Sequence, residues 1–124
     1  MADVGYVRDI VERVSKYWDE DRRRVAEKIL DALEKMSEEK ANSVVRKEIE
    51  AMLNEVRKMK SCIDSGGDYT KCGNPLKYFV DWLDSPSGII AFTYMWKPRF
   101  AEKILRLVSS SLVIGERLAY SVFK

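Results

Sequence analysis

The chain is expected to be an all-α helical bundle with an N-terminal helical hairpin, two short helices and a long C-terminal helix. Three observations predict this. No glycine occurs between Gly5 and Gly66 and no proline before Pro75, so the first half lacks the strongest helix breakers. Apolar residues recur at alternating steps of three and four, the spacing that aligns one face of a helix. After Pro98, a last helical pattern runs to Lys124 with no further proline. The length of 124 residues suits one domain, 1–124, read as N-terminal helices over 1–60, a Gly-rich loop over 61–75 and a C-terminal helical part over 76–124.

In order along the chain, Val4, Val7, Val11, Val14 and Trp18 form the first row, and Val25, Ile29, Ala32 and Met36 the second. Asp19, Glu20 and Asp21 lie between them, where carboxylates suit the positive end of a new helix, so a break is favoured over one continuous rod. Arg22, Arg23 and Arg24 spread over ~200° of helix circumference, too wide for one partner and suited to several ion pairs. Ser37–Ser43 is the expected turn, with Asn42 or Ser43 capping the third helix. Its seam is Val45, Ile49, Met52, Val56, Met59 and Ile63. Residues 1–60 hold 14 Lys/Arg and 14 Asp/Glu, which suits a hairpin with a salt-bridged exterior or, in competition, a dimerising coiled coil.

Asp64-Ser65-Gly66-Gly67-Asp68 is turn chemistry and lacks the Gly-Lys-Ser/Thr ending of a nucleotide loop. Asn74-Pro75 and Ser85-Pro86 each read as a cap followed by a first helical turn. The first of these short helices places Leu76, Phe79, Val80 and Leu83 inward, and the second Ile89, Ile90 and Met95. Tyr78, Phe79, Trp82, Phe92, Tyr94, Trp96 and Phe100 crowd into this region. They form either a core or a surface anchor, with Phe92, Tyr94 and Trp96 as candidate interface residues.

In the terminal pattern, Phe100, Ile104, Leu107, Ser111, Ile114, Leu118 and Val122 share one face, while Arg99, Lys103, Arg106, Arg117 and Lys124 lie within about 40° of the opposite side. From Lys97 onward six Lys/Arg against two Asp/Glu give +4, whereas the whole chain carries +2. Such a stripe is either a solvated face or a strip that follows phosphates; on the second reading these five cations bind nucleic acid, DNA without sequence preference. Ser111, Gly115 and Ala119, spaced by four, leave a smooth strip for another helix and suggest a homo- or hetero-oligomer.

Histidine is absent, which removes the commonest general base and metal ligand and every Ser-His or Cys-His nucleophile. Glu38, Glu39, Glu48 and Glu50 read as ordinary helix-surface charge. The expectation is a non-enzymatic protein with no cofactor and no metal. Cys62 and Cys72 either bridge across the Gly-rich loop or remain separate buried thiols. Abundant Lys, Arg and Glu suit a hyperthermophile, in which intracellular disulfides occur. No apolar run approaches a membrane span, mean hydropathy is −0.32, and no signal-peptide pattern opens the chain, so an intracellular location is expected.

Gly88-Ile89-Ile90-Ala91-Phe92, Pro98, and then Ala101, Ile104, Leu105, Leu107 and Val108 resemble the C-terminal helical part of major coat proteins from filamentous hyperthermophilic archaeal viruses. That resemblance implies a capsid-like subunit that self-assembles, with N-terminal helices clasping DNA and a C-terminal helix bundle, and it adds the virion as an expected location beside the cell interior. The expected function is therefore a helical subunit that coats or lies along nucleic acid. The alternatives are a helical adaptor without nucleic-acid contacts, or a small helical subunit of a CRISPR effector complex, of which the chain bears no signature.

Overall fold

The computed structural model describes residues 4–96 and Arg99, and those residues form helices and turns with no strand among them. The helices are α1 (Val4–Val14), α2 (Glu20–Lys35), α3 (Glu38–Asp64), α4 (Tyr69–Cys72), α5 (Pro75–Leu83) and α6 (Pro86–Tyr94). The long terminal helix expected from Pro98, including Lys103, Arg106, Arg117, Lys124, Ser111, Gly115 and Ala119, lies outside the described residues.

Two compact units divide the described chain, 4–50 with 82–96, and 51–81 with Arg99. In the first, α1, α2 and α6 pack against one another. Their antiparallel pairing follows from two contacts: Arg8 of α1 meets Asp31 and Glu34 near the end of α2, whereas Lys16 meets Arg23 near its start. Helix α6 carries no charged residue, and Gly88, Ile90, Ala91, Thr93 and Tyr94 are all buried. A helix apolar on every side gains most by being covered on every side, which makes α6 the centre of this unit. Gly88 and Ala91 keep its backbone close to its neighbours. A Cβ at Gly88 would collide with the Trp82 carbonyl.

The break between the first two helices falls at 15–19, where Asp19 caps α2 by accepting from the Arg22 N–H at 2.8 Å. The buried face of α2 is Ala26, Leu30 and Leu33, one position on from the expected row. Val25 is 47% exposed, Ala32 is exposed, and Ile29 and Met36 are only partly covered. This helix has two adjacent apolar rows about 100° apart, and the one that faces α6 and α1 is buried. On α1 the same competition replaces Val14, which is 46% exposed, with Ser15.

The cap of α3 is Ser37, whose hydroxyl accepts from the Lys40 N–H at 3.2 Å. The expected caps Asn42 and Ser43 sit inside the helix, and the Asn42 Oδ1 is enclosed without a hydrogen-bond partner. A serine with two acids after it, Glu38 and Glu39, satisfies the first turn earlier than the polar run suggested. Of the expected seam, Val45, Ile49, Met52 and Val56 are buried, while Met59 and Ile63 are partly covered.

Among the described residues of the second unit, Met52, Leu53 and Val56 of α3 and Pro75, Leu76 and Phe79 of α5 are buried. The expected loop over 61–75 is shorter than its composition indicated. Helix α3 continues to Asp64, and α4 adds one turn capped by Asp68, leaving 65–68 as the bend. Cys62 and Cys72 are joined by a disulfide with Cα atoms 5.5 Å apart. Gly66 and Gly73 have φ of 99° and 87°, in the left-handed region that a side chain disfavours. Asn74 caps α5 by accepting from the Leu76 N–H at 3.0 Å. Val80, expected inward, is 39% exposed because Leu76 and Phe79 already define the covered side.

Candidate nucleic-acid interface

Of the expected cationic stripe, Arg99 is described, and it is helical and exposed. Of the expected interface aromatics, Tyr94 is 5% exposed and belongs to the core of α6, so it offers no docking surface. Its hydroxyl is pushed above the ordinary tyrosine range, first by burial and then by the negative charge of Glu38.

Phe92 and Trp96 are brought together. Their ring centroids are 4.9 Å apart, tilted by 56°, and Phe92 meets Trp82 edge-on at 6.5 Å. Such offset and edge arrangements suit the aromatic quadrupole. The Trp82 indole N–H donates to Glu48 at 3.2 Å, which fixes the inner end of the ladder. Trp96 forms the outer end and is 49% exposed. In the sequence no acidic residue occurs between Asp84 and Glu102, whereas Lys97 and Arg99 follow Trp96 directly.

A polar hub lies elsewhere in the same unit. Asp84 accepts from the Tyr17 hydroxyl and from the Trp18 indole at 3.2 Å, and Arg22 lies 3.5 Å from its second oxygen. These donors come from the turn at 15–19 and the start of α2, 62 to 67 residues away, so no local pattern announces the hub. The three consecutive arginines diverge as their angular spread requires: Arg22 to Asp84, Arg23 to the Lys16 carbonyl, and Arg24 to Asp21 at 3.3 Å.

Between α1 and α2 a cleft of about 270 Å³ has Val11, Ala26 and Leu30 as its floor. Arg8, Lys16 and Arg23 line it together with Glu12 and Glu27, so cations and acids nearly balance. Arg8 is held firmly protonated, chiefly by its hydrogen bond to Asp31. The cleft contains no paired nucleophile and base, and its mixed charge selects neither sign of ligand. Among the described residues no group of three or more His, Cys, Asp or Glu could hold a metal ion, and both cysteines are committed to the disulfide. No described helix is long and apolar enough to cross a membrane.

Compared with known protein families, curated proteins and solved structures, the chain matches none.

Proposed function

We infer that the protein is a non-enzymatic helical subunit that assembles with other copies along nucleic acid, binding the phosphate backbone without reading bases. The observation that carries this reading is charge segregation. Residues 1–96 hold 16 Lys/Arg and 18 Asp/Glu, a net −2, whereas 97–124 carry +4. A polyanion lowers its free energy most by meeting the basic segment, through release of condensed counterions. Arg99, the described cation of that segment, is exposed. Self-assembly draws support from the half-exposed apolar side chains Tyr6 and Val14 of α1 and Val25 of α2.

The purified full-length chain should carry nucleic acid, seen as a raised 260/280 nm absorbance ratio, and form filaments in electron micrographs. Affinity for duplex DNA should fall with salt by ~0.9 log unit per log unit of salt for each phosphate neutralised. The triple variant Arg99→Glu, Lys103→Glu and Arg106→Glu should abolish binding with helicity unchanged, because exposed charges contribute little to folding. Unchanged affinity in that variant, or no binding by the wild type at low salt, rejects the reading. The half-exposed apolar side chains also favour a second one, a helical adaptor, which would self-associate or bind a protein while ignoring nucleic acid.

A further inference from the structure

We propose that the Cys62–Cys72 disulfide is a redox latch, whose reduction by a dithiol melts residues 68–73 while α3 and α5 stay folded. Helix α4 has little else to hold it. None of its four residues is buried. The described hydrogen bonds of 68–73 all close within that segment: Thr70 and Lys71 donate to the Asp68 carboxylate, the Cys72 N–H to the Asp68 carbonyl at 2.8 Å, and the Gly73 N–H to the Tyr69 carbonyl at 2.9 Å. A single turn of helix does not repay the entropy of its own nucleation, so α4 depends on the covalent bond to α3.

The melting stops at both ends. On one side the Ser65 N–H and hydroxyl both donate to the Ser61 carbonyl, and Lys60 pairs with Asp64 at 2.7 Å, so α3 is fastened up to the bend without the disulfide. On the other, Asn74 caps α5 through the Leu76 and Lys77 N–H groups, and Pro75, Leu76 and Phe79 are buried. Glycines at 66, 67 and 73 flank the segment and let it swing. Its departure uncovers the Met59 thioether, which lies against Gly73. Both cysteines are partly exposed, so a thiolate can reach the bond. One thiolate of the dithiol attacks a sulfur and the S–S bond breaks, giving a mixed disulfide and one free cysteine thiolate. The second thiolate of the dithiol then displaces the other cysteine. Two electrons pass to the protein, both cysteines take up protons, and the dithiol leaves as its own disulfide. Order and disorder of one short segment thereby follow the redox state, independently of any nucleic-acid binding.

Lys71 is exposed and lies inside the segment, so trypsin tests the proposal on the full-length chain. Cleavage after Lys71, followed by mass spectrometry, should be on the order of tenfold or more faster in dithiothreitol than in the oxidised protein, because proteolysis tracks the population of the open form. Cleavage after Arg57 in α3 and Lys77 in α5 should not change, and reoxidation should restore the slow rate at Lys71. The double variant Cys62→Ser with Cys72→Ser should be cut rapidly after Lys71 with or without dithiothreitol. Slow cleavage at Lys71 in both the reduced protein and the double variant means that the turn persists unaided, and overturns the latch. Acceleration at Arg57 and Lys77 equal to that at Lys71 makes the disulfide a fastening of the whole unit, and also overturns it. So does a disulfide that dithiothreitol leaves intact in the folded chain, judged by the absence of alkylated cysteines.

Discussion

The turn at 15–19 is closed from a distance, whereas the bend at 65–68 is closed on the spot. In the first, Tyr17, Trp18 and Arg22 converge on Asp84, which stands at the α5–α6 junction. In the second, the disulfide joins residues ten apart in sequence, and Gly67 sits directly against both sulfurs. The long-range closure exists only once α6 is in place. The local one needs little more than its own loop. Breaking the first should therefore disturb the packing of α1, α2 and α6, while breaking the second should mainly release chain entropy.

The largest effect is expected from Gly88→Val, close to the Asp84 junction. A side chain there collides with the Trp82 carbonyl and lies 2.8 Å from the Ser85 hydroxyl oxygen at its first carbon. Because the main obstacle is backbone rather than a movable side chain, the cost should reach ~3 kcal/mol, the upper part of the overpacking range. Urea denaturation should show a much lower midpoint. A midpoint equal to the wild type would mean that α6 can shift without loss, contrary to its place at the centre of the unit.

Removing the disulfide by Cys62→Ser comes next, at ~2 to 3 kcal/mol by the loop-entropy model. The comparison sharpens if the same loss appears on reduction of the wild type. The near-ultraviolet signal of the buried Trp18 should change little in the folded state, since the bend closes locally. A change as large as that caused by Gly88→Val would merge the two closures into one.

Asp84→Ala should cost about 1 to 2 kcal/mol, because it leaves the part-buried Trp18 N–H without its acceptor. The exposed Arg22 pair adds little. Combining Asp84→Ala with Trp18→Phe tests the coupling, since the second change removes the stranded donor. Strict additivity of the two losses in denaturation would disprove the hydrogen bond's contribution.

The contrast also explains what could be read from the sequence. Local chemistry was legible: Asp19, Asn74-Pro75 and Ser85-Pro86 start helices because a cap and its first turn are neighbours in the chain. Choices between surfaces were not. The periodicity of α2 fits both Val25/Ile29/Ala32/Met36 and Ala26/Leu30/Leu33, and β-branched content favours the row that stays half exposed. Only the position of α6, more than 50 residues later, decides between them. The same holds for the Asp84 hub, whose donors lie 62 to 67 residues away in the chain. Tyr94 shows the reverse error: an aromatic suited to an interface is equally suited to a core.

The smallest expected effect belongs to Asp68, which caps the single turn of α4 beside the disulfide. Its carboxylate is held below the ordinary value of 3.8, first by the Thr70 hydroxyl at 2.7 Å and then by the Lys71 N–H at 3.0 Å. Both donors stabilise the charged form, so the folded-state pKa lies below the unfolded one. The resulting stability is present above the unfolded value and disappears as the pH falls through the folded value. A carboxyl titration followed by NMR should place the Asp68 midpoint below 3.8, and Thr70→Ala should return it part of the way. The turn at 15–19 provides the control, because Thr70→Ala lies outside the Asp84 hub and should leave the Tyr17 and Trp18 signals unchanged. An unshifted Asp68 midpoint in the wild type would remove the polar contribution to the local closure and leave the disulfide as its principal fastening.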